Sequence, residues 1–129
     1  VAPSDEGEAG GVSIELGLRR CMGKPALYEK IARRHVEAQP TAPEQIRRDV
    51  AYARWAEAAR GAHSLVSTAG TLGAARLAAL ARALEAAIEQ GPTETLTGLL
   101  VELTQEHGRV VAALRQHLGR LEGRVPPSS

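Results

Sequence analysis

The segment WAEAARGAHSLVSTAGTLG, residues 55–73, has the apolar spacing of an amphipathic helix. At about 100° per residue, its apolar side chains fall on one face, which would pack into a core. That predicted core face consists of Trp55, Ala58, Ala62, Leu65, Ala69 and Leu72. Gly73 follows at the position where helices commonly end. The segment therefore predicts a helix with one buried side and one free side.

The sequence on both sides of this helix predicts further helices. They are expected over residues 13–22, 25–39, 41–52, 54–72, 74–90 and 93–121. Thr41 and Glu44 have the spacing of a capping box, and Thr93 can cap the last helix. Short connections favour antiparallel neighbours. We expect an all-α fold, an up-and-down antiparallel four-helix bundle with a short extra N-terminal helix.

The chain has 129 residues, enough for one domain and one core. Residues 1–11 are acidic and Gly-rich, which predicts a flexible linker, and residues 123–129 predict a disordered tail. The bundle is expected over residues 12–122. The first residue is not Met, so we expect a segment of a longer protein.

Charge and cysteine content restrict the function. The net charge of +1 gives no reason to expect binding to nucleic acid or to an anionic membrane. The lone Cys21 excludes an internal disulfide and favours the cytoplasm, and no apolar run approaches the length of a membrane span.

His63 lies on the side of its helix away from the predicted core face, so its ring should reach solvent. Its neighbours one or two turns away on that side are Ala56, Ala59, Ser67 and Gly70, all of them small. Small side chains around an exposed imidazole would let another protein bring a reactive group to the ring. The alternative interpretation is that an Ala-rich helix has small residues everywhere.

The run RGAHSLVSTAGTLGA, residues 60–74, resembles the signature of histidine-phosphotransfer domains, and the resemblance extends over about residues 13–120. The family follows its phosphorylated His with Leu, small residues and an apolar–Gly pair, and then with a Leu-rich helix that ends in Leu-Glu. Leu84 and Glu85 match that ending. Val66 and Ser67 differ from the Lys and Gly that are usual there.

The resemblance implies a phosphocarrier in a two-component phosphorelay rather than a complete enzyme. His63 would accept a phosphoryl group from a receiver-domain Asp and pass it to another response regulator. Glu85 would orient the imidazole through Nδ1–H and leave Nε2 to attack. Arg82, one helical turn from Glu85, is expected to replace the cation that Val66 displaced. The residues expected to contact the partner are Ala59, Arg60, Val66, Ser67 and Gly70.

We expect receiver domains as partners, a monomeric isolated domain, and neither a cofactor nor a metal site. His35 and His107 are predicted to be packed residues, and His117 a surface residue. The acidic, Gly-rich start favours the C-terminal part of a hybrid sensor kinase, and in a membrane-bound kinase we expect the domain to belong to the cytoplasmic tail. Two alternatives stay open: a non-catalytic helical docking module, and the dimerisation helices of a histidine kinase. The kinase helices carry an acidic residue after the His, where this chain has Ser64.

Overall fold

A computed structural model describes residues 8–9, 11–38, 41–91 and 93–124. It contains one pair of very short strands and six helices. These are β1 (Glu8–Ala9), β2 (Val12–Ser13), α1 (Ile14–Arg20), α2 (Pro25–Ala38), α3 (Ala42–Ala51), α4 (Trp55–Leu72), α5 (Ala75–Gln90) and α6 (Glu94–Arg124). The predicted all-helical bundle is confirmed.

The bundle is built around α4, α5 and α6. Helix α5 packs against both α4 and α6, while α2 and α3 each contact α4 and α6 and cover the remaining side. Helix α1 packs on α4. Because only two residues connect α4 to α5, these two helices run antiparallel along their length.

The turn between α4 and α5 depends on Gly73. Its φ of +84° lies in the left-handed region, which favours glycine. A Cβ here would also collide with the backbone oxygen of Ser13, whose N–H donates to the Gly73 carbonyl at 2.9 Å. The turn therefore sets the antiparallel pair and at the same time holds β2 against it.

The core is made mostly of Ala and Leu. The predicted face of α4 is buried at Ala58, Ala62, Leu65, Ala69 and Leu72, while Trp55 at the start of the helix is only half-buried. Small residues let the helices approach closely, and close packing strengthens dispersion contacts.

Helix α1 comes very close to the rest of the bundle at Gly17. An added Cβ would overlap the ring of Tyr28 and lie 2.7 Å from the carbonyl oxygen of Leu72. The Tyr28 hydroxyl donates a hydrogen bond to that same oxygen at 2.7 Å, so α1, α2 and α4 meet at one point.

The N-terminal boundary differs from the expected linker. Glu8 and Ala9 form β1 and pair antiparallel with Ser13 and Val12, and Val12 is buried. Two-residue strands lack a recognisable alternating pattern, which is why the sequence did not predict them. The rest of the predicted linker, residues 1–7 and 10, lies outside the described residues.

Two helix ends also differ from expectation. Thr41 is the N-cap of α3, but its side chain makes no capping hydrogen bond, and the Glu44 carboxylate pairs with Arg47 instead. The predicted capping box is therefore wrong. Helix α6 continues to Arg124, past the predicted boundary at residue 122. Residues 125–129 of the predicted tail lie outside the described residues.

Candidate functional site

His63 stands near the middle of α4 with 72% of its side chain exposed. Ala62 and Leu65 on either side of it are buried. These two apolar residues fix the rotation of the helix, because turning His63 inward would bring them out into water. The free side predicted for this helix is thus the side on which the imidazole lies.

Glu85 on α5 faces the His63 ring. Nδ1 of His63 lies 3.1 Å from Oε2 and 3.4 Å from Oε1 of Glu85. The carboxylate is 28% exposed, so it is better shielded from water than the ring. A carboxylate accepts hydrogen bonds, so this contact favours the tautomer with the proton on Nδ1. Nε2 has no hydrogen-bond partner among the described residues, so in this tautomer its lone pair is unoccupied.

An open groove of about 460 Å³ lies along α4 on the C-terminal side of His63, and neither His63 nor Glu85 is part of its lining. Its lining includes the predicted partner-binding residues Val66, Ser67 and Gly70. Arg82 lines the same groove from α5 and is exposed. The structure therefore places Arg82 in the same groove as Val66 and Ser67.

The other two predicted contact residues lie on the N-terminal side of His63. Ala59 is half-buried and lines a hollow of about 420 Å³ between α4 and α5. Arg60 is exposed, with a long contact of 3.4 Å to Glu57 on its own helix. The predicted contact residues thus fall on both sides of the imidazole along α4.

Gly61 on α4 faces a neighbouring helix. A Cβ at Gly61 would lie 3.0 Å from Cγ1 of Ile46 on α3, so its small size serves packing between helices. Gly70 differs: the nearest atom to its added Cβ, Nη1 of Arg20, is at 3.7 Å, an ordinary contact. Only Gly70 leaves space on the free side of α4.

Two other histidines form a buried pair. Nε2 of His35 and Nε2 of His107 are 3.1 Å apart, and the side chains are 3% and 2% exposed. One ring must donate and the other accept, so the accepting ring is neutral; the lowered pKa values of both rings favour the neutral form of the donor as well. Burial lowers the pKa of His35, and burial together with the nearby His35 lowers the pKa of His107 to about 4.

His117 was predicted to lie at the surface, but it is half-buried. Its ring meets that of Tyr28 edge-to-face, with 6.0 Å between centroids. Exposed imidazole is therefore found at His63 and not at His35, His107 or His117. Within the described ranges, no group of three or more His, Cys, Asp or Glu gathers to hold a metal ion.

The family model of the Hpt domain matches residues 33–124, most of the chain. The chain belongs to the Hpt domain family. Hpt domains carry out histidine phosphotransfer in phosphorelays and interact with receiver domains of response regulators. No curated protein and no solved structure matches the chain at a significant level. No helix in the described part of this Hpt domain is long and apolar enough to cross a membrane.

Sequence reasoning missed the contribution of α1 to this site. Leu16 and Arg20 line the groove together with Val66 and Arg82, and α1 precedes the residues that the family model matches. Nothing in the spacing of residues 13–22 indicates which side of the Hpt bundle α1 covers. The close approach at Gly17 decides it, and that approach involves residues distant in the sequence.

Proposed function

We propose that this Hpt domain carries a phosphoryl group on Nε2 of His63 between receiver domains of a phosphorelay. The observation that carries the proposal is the exposed His63 ring, whose Nδ1 is engaged by Glu85 while Nε2 faces solvent. An imidazole is nucleophilic through the nitrogen that carries no proton. An exposed ring whose Nδ1 is engaged by a carboxylate therefore supports attack through Nε2.

Nε2 of His63 attacks the phosphorus of an aspartyl phosphate on the receiver; the N–P bond forms, the P–O bond to the aspartyl group breaks, and the receiver regains a carboxylate. The ring becomes a phosphorylated imidazolium that keeps its proton on Nδ1. The Glu85 carboxylate accepts that N–H and stabilises the positive charge, as the acidic residue of a catalytic triad does. Delivery to a second receiver is the same step in reverse.

Cations at the phosphoryl oxygens favour such transfers. With Val66 in place of the family's usual Lys, we propose that Arg82 supplies one from the wall of the groove. We assign the magnesium ion of the reaction to the receiver, which holds it with its own carboxylates.

We propose that the isolated domain acts as a monomer. The large apolar side chains that are exposed among the described residues, Met22, Tyr52 and Val101, come from three different parts of the chain: after α1, after α3 and within α6. Cys21 is a buried free thiol, consistent with the cytoplasmic setting that we propose.

Substitution of the imidazole tests the function. A receiver phosphorylated with acetyl phosphate and Mg²⁺ should transfer phosphate to the wild-type domain and not to His63→Gln. Because His63 is exposed, the variant should keep the wild-type free energy of unfolding within about 0.5 kcal/mol. The matched control is His117→Gln, which should still be phosphorylated. Acid-labile phosphate on His63→Gln would show a different acceptor, and receiver binding without any transfer would favour a docking module.

A further inference from the structure

The groove beside the phosphorylation site has cations on two of its walls. Arg20 reaches it from the last turn of α1, and its Nη1 lies 3.7 Å from where a Cβ on Gly70 would be. Its guanidinium therefore lies across α4 at a point where α4 has no side chain. Arg82 lines the groove from α5.

No described residue neutralises these two charges. Neither Arg20 nor Arg82 forms an ion pair in the described part of the chain, and no carboxylate lines the groove. The adjacent Arg19 differs in that its Nη1 contacts Oε1 of Glu15 at 3.3 Å. The apolar Val66 and the small Ser67 and Gly70 leave the space between the two cations open. The groove is therefore suited to an anionic surface.

Arg20 and His63 are close enough together for one partner domain to contact both. Gly70 follows His63 by seven residues, about 10 Å along the helix axis. A stable protein interface covers about 800 Å² on each partner, a patch of about 16 Å radius. A domain that brings its reactive group to Nε2 of His63 would therefore also cover Gly70 and the guanidinium of Arg20.

We propose that Arg20 is a docking residue that pairs with carboxylates of the incoming receiver. This inference rests on the proposed function, because the occupant is the protein that carries the aspartyl phosphate. Such a protein must hold its phosphoryl group and magnesium ion with acidic side chains, so its approaching face carries negative charge. Arg20 lies beside Gly70, which is two helical turns from His63 on α4, and acts on association, whereas Arg82 is assigned to the phosphoryl group itself.

The test compares Arg20→Ala and Arg20→Glu with Arg19→Ala, a control on the same helix. The Kd for a receiver that phosphorylates His63 is measured by titration. We expect Arg20→Ala to weaken binding about threefold and Arg20→Glu about tenfold, as for exposed charges at an interface rim. Both differences should shrink between about 0.05 M and about 0.5 M salt, since screening weakens exposed ion pairs. Arg19→Ala should bind like the wild type.

A second readout separates docking from a structural role. At saturating receiver, the transfer rate of Arg20→Ala and its phosphohistidine lifetime should equal those of the wild type. Equal Kd values and equal salt dependence for Arg20→Ala, Arg20→Glu and the wild type would overturn the role of Arg20 and leave the proposed function intact. Absence of phosphohistidine on the wild-type domain with every receiver tried would overturn both.

Discussion

At the scale of single residues, the pair formed by His63 and Glu85 resolves a conflict between access and orientation. A ring that is 72% exposed can be reached by a partner, but an exposed side chain also rotates among several rotamers. The hydrogen bond to a partly shielded carboxylate restricts the ring without covering Nε2. The backbone of α5 holds that carboxylate, and its neighbour Leu84 is fully buried. The packing of α5 into the core thus fixes the position of Glu85, and Glu85 in turn orients the His63 ring.

Arg82 gives a prediction at the same scale. Its guanidinium lines the groove beside Ser67, where a phosphoryl oxygen on the nearby ring would attract it. Arg82→Ala should slow phosphoryl transfer about tenfold, or shorten the phosphohistidine lifetime by a similar factor. Stopped-flow transfer and decay measurements check this, with Arg115→Ala on α6 as the control.

Restoration of the family's usual residue strengthens that test. Val66→Lys in the Arg82→Ala background should recover much of the lost rate, because it returns a cation to the same groove. Equal transfer rates and lifetimes for Arg82→Ala and the wild type would show that the site needs no such cation.

At the scale of elements, the contact between α2 and α6 contains the pair of His35 and His107. Their lowered pKa values mean that the unfolded chain, with histidine pKa values near 6.5, binds more protons below that pH than the folded chain does. The free energy of unfolding should therefore fall as the pH falls below about 6.5, by up to about 1.4 kcal/mol per pH unit for each histidine, and His107 contributes down to about pH 4.

Urea unfolding between about pH 7.5 and about pH 5 measures this effect, in a range where carboxylates contribute little. His35→Leu combined with His107→Leu should flatten the dependence. A wild-type stability that does not change over this range would mean that the buried pair is not neutral in the folded state.

The packing of α1 and of α4 predicts opposite effects for two glycine substitutions. Gly17→Ala would displace the Tyr28 ring and break its hydrogen bond to Leu72, so it should lower the free energy of unfolding by about 3 kcal/mol. Gly70→Ala meets only an ordinary contact inside a helix, so it should raise the free energy by about 0.5–1 kcal/mol. Thermal or urea unfolding of both variants measures these changes. Destabilisation by Gly70→Ala would mean that α4 is tightly packed against its neighbours at Gly70.

At the scale of the whole molecule, the features that could be predicted from the sequence are those that depend on residues close together in the chain. The buried face of α4 and its end at Gly73 depend on local spacing and on one left-handed residue, and both were predicted. The position of Glu85 opposite His63 follows once a two-residue turn makes α4 and α5 antiparallel. Features that depend on contacts between residues far apart in the chain were not predicted.

The contact between His35 and His107 joins residues 72 positions apart, and it depends on how α2 lies along α6. The groove next to Arg20 likewise depends on where α1 packs, which Gly17 and Tyr28 decide together. The spacing of apolar residues along one helix does not specify how that helix packs against another. Helix propensity also could not show that Glu44 pairs with Arg47 rather than capping α3.

The central claim is that His63 reacts through Nε2 because Glu85 holds Nδ1–H. Nitrogen-15 NMR of the imidazole, before and after phosphorylation by a receiver, measures it most directly. The wild-type His63 ring should be predominantly the Nδ1–H tautomer, and phosphorus should couple to Nε2. Glu85→Ala should show a mixture of tautomers and about tenfold slower phosphorylation, while Glu89→Ala on the same helix should match the wild type. Phosphorus on Nδ1 of His63, or the same tautomer mixture in the wild type and in Glu85→Ala, would contradict the account.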